Sequence, residues 1–258
     1  MKLSDSKVEI VRRHNKVVYQ DGDRIVKVFH ENKPASDVFN EALNIARVQE
    51  TGIKVPRIRE VSRIDDGAER GQWALATSYV PGINAWTAVT DDPEHAQKHM
   101  DRFVDLQIAI QTVDAPAVTR QKDKLLRMVK NVKIIDPSIR YELEMRIDGM
   151  KPGNKVCHGD FIQSNVILGD DGELYVCDWA HVTAGLPVVD AATTYLLFHV
   201  KHPEFAEMYL DTYSKRSDTP KQVINYWLPV VAAAELSRGR KAREDMLLSF
   251  VNASTDYE

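Results

Sequence analysis

The sequence predicts an α+β protein in which a small β-rich lobe with one helix precedes a larger, mainly helical lobe. Three observations support this fold class. Residues 8–29 alternate apolar and polar side chains, which is the period of half-buried β-strands. A second strong strand pattern, 73-WALATSYV-80, ends at a Pro81-Gly82 turn signal. From about residue 93, apolar residues recur at spacings of three and four, which is the period of an α-helix.

The first lobe is expected to hold a five-stranded sheet. Its predicted strands are VEIVRR, VVYQ, RIVKVF, VPRIREVSRI (55–64) and WALATSYV (73–80). Between the third and fourth strands, Ser36 is expected to cap a helix that runs to about Gln49. Thr51-Gly52 then supplies a helix stop signal. We therefore predict an antiparallel sheet with one inserted helix.

The second lobe is expected to be mostly helical. Candidate helices cover 93–112, 120–132, 137–149, 190–200, 203–214, 220–238 and 240–251. The segment 157–180 interrupts them with patterns typical of short strands. We assign residues 1–80 to one domain and 81–258 to another, with a hinge near 78–82.

The composition is that of an ordinary soluble globular protein. The chain has 258 residues, 43% hydrophobic and 28% charged, with a net charge of -4 that gives no reason to expect nucleic-acid binding. It has no apolar run long enough for a membrane span and no signal-peptide core near its start, so we predict a cytoplasmic protein without a membrane partner. Cys157 and Cys177 are expected to be reduced packing residues. The sequence indicates no oligomeric state.

The stretch 157-CHGDFIQSNVILGDDGELYVCDWA-180 carries polar groups that a simple hairpin does not need. Phosphoryl transfer requires a carboxylate to orient and deprotonate the acceptor hydroxyl, and oxygen ligands for Mg2+. Asp160 is the candidate base, and Asn165 and Asp178 are candidate metal ligands. Residues 166–176 predict a hairpin that would bring these two ligands together. The alternative is that either aspartate is only a turn or capping residue.

HGDFIQSNVI followed by VCDWA resembles the signature of the aminoglycoside phosphotransferase and choline kinase-like family, in which H-G/N-D-x-x-x-x-N precedes a hairpin and an aspartate-aromatic pair. The resemblance implies a bilobal protein-kinase-like fold. It also implies that Asp160 is the catalytic base and that Asn165 and Asp178 bind Mg2+. His158 would brace the loop around Asp160. Asp190 matches a family aspartate that holds the catalytic-loop backbone; the alternative is a helix N-cap, and the two roles are compatible.

The same resemblance implies a lysine and a glutamate in the first lobe. Lys27 lies inside the apolar strand RIVKVF, where an unpaired charge would be costly. Glu41 shares a helical face with Val38 and Ile45, so it is expected to point toward the sheet. Lys27 and Glu41 are predicted to pair, leaving the lysine to hold the α- and β-phosphates. The alternative is an edge-strand lysine and a helix-surface glutamate.

Two further parts of a nucleotide site are addressed by the sequence. The phosphate-loop position, 11-VRRHNKVVY-19, contains no glycine. There Asn15 is a candidate for a positive φ, and Arg12, Arg13, His14 or Lys16 for electrostatic help. The resemblance places the adenine contact on the backbone of the hinge, here Ser78, Tyr79 and Val80. Residues 1–80 would then form the nucleotide-binding lobe, and residues 81–258 the lobe with the catalytic loop and acceptor site.

We therefore expect a phosphotransferase with an alcohol group as acceptor. It would transfer the γ-phosphoryl group of ATP or GTP to a small acceptor that bears an amine, as aminoglycosides and choline do. One alternative is a catalytically weak nucleotide-binding module, suggested by the glycine-free loop. A third hypothesis is a metal-dependent phosphohydrolase that uses His158, Asp160 and Asp178. For the acceptor site, the candidates are the acidic segment 204-EFAEMYLD-211, the tail 255-TDYE-258 and an aromatic pair, Tyr226 and Trp227. A solvated face and a core pair are the alternatives.

Overall fold

Five antiparallel strands form the main sheet in the computed structural model, which describes residues 1–253. They are β1 (Val8–Arg13), β2 (Lys16–Asp21), β3 (Arg24–Phe29), β4 (Ile58–Arg63) and β5 (Trp73–Ser78). Their order in the sheet is β1-β2-β3-β5-β4, which confirms the predicted five-stranded antiparallel sheet. Strand β3 lies at the centre, with Val26 and Val28 fully buried on one face. Because side chains alternate along a strand, Lys27 points to the opposite face.

One helix, α1 (Ala35–Glu50), crosses this sheet and buries Val38, Ile45 and Val48. It begins two residues earlier than predicted, because Pro34 rather than Ser36 is its N-cap residue. Pro34 occupies the N-cap position with φ -59°, and no side chain caps the helix there. The fixed proline φ leads the chain directly into the helix, so the serine falls inside the first turn.

Strand β4 begins at Ile58 rather than at residue 55. Pro56 lies in the predicted first part of the strand and has no N–H to donate to a sheet ladder.

The structure also contains a second sheet, which has three strands. It contains β6 (Gly82–Asn84), β8 (Val166–Gly169) and β9 (Leu174–Val176) in the order β6-β8-β9. Strands β8 and β9 form the predicted hairpin. Strand β6 was not predicted. Gly82 has φ +147°, and a Cβ there would overlap the Leu168 carbonyl, so only glycine allows β6 to approach β8 this closely.

The chain divides into two compact units. The first comprises Met1–Asn84 and Ser164–His181, and the second comprises Ala85–Gln163 and the chain from Val182 onward. The sequence predicted two continuous domains that meet after residue 80. In the structure, the β8–β9 hairpin belongs to the first unit, although it comes much later in the chain. Residues 254–258, which include the candidate carboxylates of TDYE, lie outside the described residues.

The second unit is built mainly from helices. They are α2 (Ala85–Asp91), α3 (Ala96–Thr112), α4 (Gln121–Lys130), α5 (Pro137–Asp148), α6 (Pro187–Lys201), α7 (Ala206–Ser217), α8 (Lys221–Leu236) and α9 (Glu244–Asn252). All except α2 correspond to predicted helices. A two-stranded ladder, β7 (Lys155–Cys157) with β10 (Thr183–Gly185), completes the unit.

Two further sequence predictions concern the cysteines and the membrane. Cys157 and Cys177 are both free thiols, as predicted. Among the described residues, no helix is both long and apolar enough to cross a membrane.

Candidate active site

Lys27 and Glu41 form the predicted ion pair in the first unit. Lys27 Nζ lies 2.6 Å from Glu41 Oε1, and Glu41 is only 4% exposed. Strand β3 is flanked by β2 and β5, so Lys27 is not an edge-strand residue and Glu41 is not on the helix surface. Burial opposes the charge on Lys27, but the carboxylates of Asp178 and Glu41 raise its pKa above the ordinary lysine value.

The Asp178 carboxylate contacts two ammonium groups, that of Lys27 in this pair and that of Lys16. Lys27 Nζ lies 3.1 Å from Asp178 Oδ1, and Lys16 Nζ lies 3.1 Å from Asp178 Oδ2. Although burial acts to raise it, the pKa of Asp178 is held well below the usual carboxyl range by the charges of Lys27 and Lys16. Asp178 also has φ +62°, an uncommon value for a residue other than glycine. The site therefore contains an anion that stays ionised between two cations.

The hairpin brings Asn165 and Asp178 to the same end. Strand β8 begins directly after Asn165, and Asp178 comes two residues after β9. The Cys177 N–H donates to the Asn165 carbonyl at 2.8 Å, which ties the two segments together. On α1, Asn44 lies one turn after Glu41 and is buried. Its side-chain amide donates a hydrogen bond to the Trp179 carbonyl at 3.4 Å. The hairpin thus carries an amide and a carboxylate whose oxygens are the donor types that Mg2+ takes.

The glycine-free turn between β1 and β2 contributes a side chain to this site. The proposal that Asn15 has a positive φ is wrong: among the described residues other than glycine, only Asp178 and Asp218 have one. The contribution comes from Lys16, the first residue of β2, whose side chain is 13% exposed. By sequence alone, Lys16 is only one of four basic candidates at this turn.

The predicted hinge follows β5. The Ser78 N–H donates to the Arg57 carbonyl and the Tyr79 N–H to the Asp23 carbonyl, each at 2.8 Å. These two N–H groups therefore reach a nucleotide only by giving up backbone hydrogen bonds. Ser78, Tyr79 and Val80 also line a concavity of about 360 Å³ that neither Lys27 nor Asp178 lines. The adenine contact stays a prediction.

In the second unit, a short loop after β7 carries His158 and Asp160. His158 is fully buried, and its Nδ1 accepts a hydrogen bond from the Asp160 N–H at 3.2 Å. Gly159 has φ +75° and donates its N–H to Asp190 Oδ1 at 2.8 Å. The Asp160 side chain is 25% exposed, with Lys201 Nζ 3.9 Å from its Oδ1. The loop backbone is thus held from both sides while the Asp160 carboxylate remains accessible.

Asp190 is the centre of a buried polar network. It is 2% exposed and accepts from Gln111 Nε2 at 2.9 Å and from Gln107 Nε2 at 3.4 Å. The hydroxyls of Tyr213 and Tyr209 donate in turn to Gln111 at 2.6 Å and to Gln107 at 2.8 Å.

The N-cap alternative for Asp190 is wrong, because α6 starts at Pro187 with Leu186 as its N-cap residue. Sequence reasoning missed both glutamines, although two amides four residues apart on the apolar face of α3 are a usable signal.

The predicted acceptor candidates are used in other ways. Glu207 accepts from the Tyr195 hydroxyl at 2.5 Å, and Asp211 pairs with Lys221. Trp227 is buried, whereas Tyr226 is exposed with the Arg146 guanidinium 4.4 Å from its ring centroid. Since Arg146 already covers this ring, the aromatic pair does not form a box for a quaternary amine.

This combination of a β-lobe lysine–glutamate pair, a hairpin aspartate and a braced HGD loop defines a phosphotransferase of the kinase-like kind. The model of the phosphotransferase enzyme family, APH, matches residues 12–223, so the chain belongs to that family. This match confirms the family resemblance of the HGD and CDW motifs. It also confirms the predicted enzyme class, a phosphotransferase with an alcohol group as acceptor. The chain is accordingly a small-molecule kinase. No curated protein matches the chain.

Solved structures show the same fold at low identity. A ternary complex of a thermostable aminoglycoside phosphotransferase APH(4)-Ia mutant with ADP and hygromycin B has a TM-score of 0.72 at 11% identity, covering 97% of this chain and 93% of that one. A choline/ethanolamine kinase family protein from Mesorhizobium loti gives 0.59 at 14%, covering 97% and 88%. APH(3'')-Id from Streptomyces rimosus gives 0.61 at 17%, covering 88% and 92%. These similarities confirm the predicted bilobal kinase-like fold.

Proposed function

We propose that this protein transfers the γ-phosphoryl group of ATP, bound with Mg2+, to a hydroxyl group of a small acceptor. The observation that carries the proposal is the charge arrangement at Asp178. Two lysines, Lys16 and Lys27, hold this carboxylate, and Glu41 orients Lys27. Such a set of fixed charges serves to place phosphates and a metal, which is most of what phosphoryl transfer asks of a protein.

Lys27 and Lys16 are the proposed phosphate ligands. Each ammonium group has donors beyond those its carboxylate partners occupy, because an ammonium carries three. Glu41 keeps Lys27 in place from the helix side at 2.6 Å. Lys16 supplies from a side chain the positive charge that a glycine-rich loop would supply from backbone N–H groups.

Asn165 and Asp178 are the proposed magnesium ligands. Their oxygens fit the hard cation, and the Cys177 hydrogen bond to Asn165 ties the segments that carry them. When bound, Mg2+ would neutralise charge on the phosphate oxygens. Asp178 would meet that ion as a carboxylate, because its neighbouring cations keep it ionised.

Asp160 is the proposed catalytic base, which accepts the proton of the acceptor hydroxyl. Its carboxylate is accessible, and its backbone is fixed by His158 and, through Gly159, by Asp190. His158 and Asp190 are proposed positioning residues, since both act through the loop backbone. The hinge Ser78–Val80 is proposed to contact the nucleotide base.

The nucleotide is proposed to be ATP because two similar structures hold ADP or AMP-PNP. Hygromycin B in those complexes is an amine-bearing acceptor, which is the class predicted from the sequence. Glu207 and Asp211 already have partners and the Tyr226 ring is covered, so these three acceptor candidates do not favour an amine.

Two measurements test the proposal. Mg–ATP is expected to raise the melting temperature, because a ligand bound only by the folded state stabilises it. ADP release is then expected to depend on an added hydroxyl compound and to be lost in Asp160→Asn. Binding without acceptor-dependent release from any compound supports the nucleotide-binding module instead. Release of phosphate from an ester without nucleotide supports the hydrolase. GTP in place of ATP tests the base preference.

A further inference from the structure

Cationic side chains gather around Asp160 in the second unit. The sequence from residue 185 onward contains ten acidic and eight basic residues, so its overall charge gives no hint of this. Lys201, at the end of α6, lies 3.9 Å from Asp160. The Asp160 charge also acts to raise the pKa of Lys124 of α4 and of Arg243, just before α9, although burial is the larger influence on both and lowers them.

Three arginines near the start of α9 share one buried glutamate. Glu235 is 8% exposed, and Arg238, Arg240 and Arg243 lie 2.6, 3.4 and 3.9 Å from its carboxylate oxygens. One carboxylate cannot neutralise three guanidinium groups, so the cluster carries a net positive charge.

Arg243 gives a more direct sign of a ligand. Its Nη1 atom is buried and has no hydrogen-bond partner within the part of the chain that the structure describes. A buried guanidinium nitrogen without an acceptor is costly, and an incoming oxygen would relieve that cost.

The charges act on one another across this region. Burial and the charges of Arg238 and Arg127 lower the pKa of Lys124 to about 8, while Asp190 and Asp160 act in the opposite direction. Burial and Arg240 lower the pKa of Arg243, against the effects of Glu235 and Asp160. Burial is the largest cause of both shifts, and neighbouring cations act in the same direction.

We infer that the acceptor of the proposed kinase reaction carries an anionic group, a carboxylate or a phosphate ester, in addition to the hydroxyl that is phosphorylated. Guanidinium groups match such anions with paired N–H donors, and Arg243 has an unsatisfied one. Asp160 would accept the proton of the acceptor hydroxyl, while the cations bind the anionic group of the same acceptor. A polycationic amine would meet like charges at the same place. This inference rests on the proposed function for the role of Asp160.

Anion binding is tested first without turnover. The probes are inorganic phosphate and glycerate, titrated calorimetrically at constant ionic strength, with choline and hygromycin B as cationic probes. The anions are expected to bind, with affinity about tenfold weaker in Arg243→Gln and largely restored in Arg243→Lys. Arg216→Gln is the matched control, because Arg216 of α7 pairs with Asp101 and Asp105 of α3. Equal anion affinity in wild type and Arg243→Gln, with melting temperatures unchanged, overturns the inference.

Turnover is tested with matched pairs of acceptors. The members of each pair differ mainly in charge: glycerate and glycerol, gluconate and glucose, and glucose 6-phosphate and glucose. The first two pairs test recognition of a carboxylate, and the third tests recognition of a phosphate ester. The anionic member is expected to have a kcat/KM at least tenfold higher, and Arg243→Gln is expected to raise its KM while leaving the KM for ATP unchanged. Faster turnover of choline or hygromycin B than of every anionic compound overturns the inference and leaves the kinase proposal standing. Failure of Mg–ATP to bind overturns the kinase proposal, while the calorimetric anion result still stands by itself.

Discussion

Lys16 Nζ lies 3.1 Å from Asp178 Oδ2, so a turn without glycine delivers an ammonium group to the carboxylate that follows the hairpin. Lys27 holds the other oxygen of the same carboxylate at the same distance. A glycine-rich loop attracts phosphate through backbone N–H groups, whose dipoles are weaker than a full charge. The Lys16–Asp178 contact indicates that this chain meets the same electrostatic need with a side chain.

Removing the Lys16 charge is therefore expected to weaken nucleotide binding. For Lys16→Met we expect the Kd of Mg–ATP to rise about tenfold, which corresponds to ~1.4 kcal/mol. Lys16→Arg should retain most of the affinity, because the charge remains. Isothermal titration of Mg–ATP into each variant measures this.

Arg13→Met is the matched control for Lys16→Met, since it removes an exposed cation from β1 next to the same turn. Equal losses in Arg13→Met and Lys16→Met would mean that general charge, rather than the contact with Asp178, is responsible.

The buried pair Lys27–Glu41 is expected to show strong coupling in stability. Breaking a buried ion pair by removing one partner costs about 3–5 kcal/mol, because the other charge remains buried. Glu41→Gln and Lys27→Met should each lower the free energy of unfolding. The double variant should lose about 1–3 kcal/mol less than the sum of the two. Urea unfolding of the four proteins gives this coupling energy.

An internal control lies at the start of α1, where Lys33 just before the helix pairs with Asp37 in its first turn. Lys33 and Asp37 form an i,i+4 pair at 2.9 Å in which the Asp37 side chain is 51% exposed. Its coupling in the same measurement is expected to be about 0.5 kcal/mol or less. If the Lys27–Glu41 cycle gave a value as small as this, the pair would have no special role in holding Lys27.

The sequence predicted those parts of the molecule that depend on local patterns. The family resemblance called for a lysine and a glutamate, and the alternation around Lys27 and the helical spacing of Glu41 identified which residues they are. The hairpin turn at 170–172 likewise placed Asn165 beside the segment of Asp178. These features need only the periods of strands and helices and the chemistry of turns.

The rest depends on contacts between distant segments. Nothing near Asp190 in the sequence points to Gln111, which lies 79 residues away. The choice of Lys16 over its basic neighbours follows from the register of β1 and β2, which no local pattern specifies to one residue. The cations around Asp160 come from α4, from α6 and from the segment between α8 and α9, so counting charges along the chain hides them.

Lys124 is expected to link stability, acceptor binding and pH. Its pKa of about 8 lies below the lysine value of the unfolded chain, so its charge is unfavourable to folding below pH 8. Between about pH 8 and 10.5 the unfolded chain binds more protons, and this penalty disappears as the pH rises. Burial is the main cause that lowers its pKa, Arg238 and Arg127 lower it further, and Asp190 and Asp160 raise it.

Lys124→Met should therefore stabilise the protein at pH 7 by on the order of 1 kcal/mol, with a smaller gain at pH 9.5. Urea unfolding at both pH values measures this. If the acceptor is anionic, its KM should rise in the wild type as the pH passes 8, and this step should be absent in the variant. A stabilisation that is the same at both pH values would assign the effect to packing rather than to charge.

The two aspartates of the motif segment are expected to fail in different ways. Asp160 is accessible on a loop whose backbone is held by His158 and Asp190, and its proposed work is proton transfer from the acceptor hydroxyl. A general base of this kind contributes about 10²–10⁴-fold to the rate. Asp160→Asn should lose turnover by about that factor and keep the wild-type Kd for Mg–ATP.

Asp178 is expected to act at the stage of nucleotide binding, because its carboxylate lies between Lys16 and Lys27 and is a proposed magnesium ligand. Asp178→Asn removes the negative charge and leaves two lysines close together, so Mg–ATP binding should weaken and its dependence on Mg2+ concentration should flatten. Calorimetric titration of ATP with and without Mg2+, paired with turnover measurements on both variants, separates the two roles. The opposite pattern, with binding lost in Asp160→Asn and kept in Asp178→Asn, would exchange the two assignments. Full turnover in both variants would place the chemistry elsewhere in the molecule.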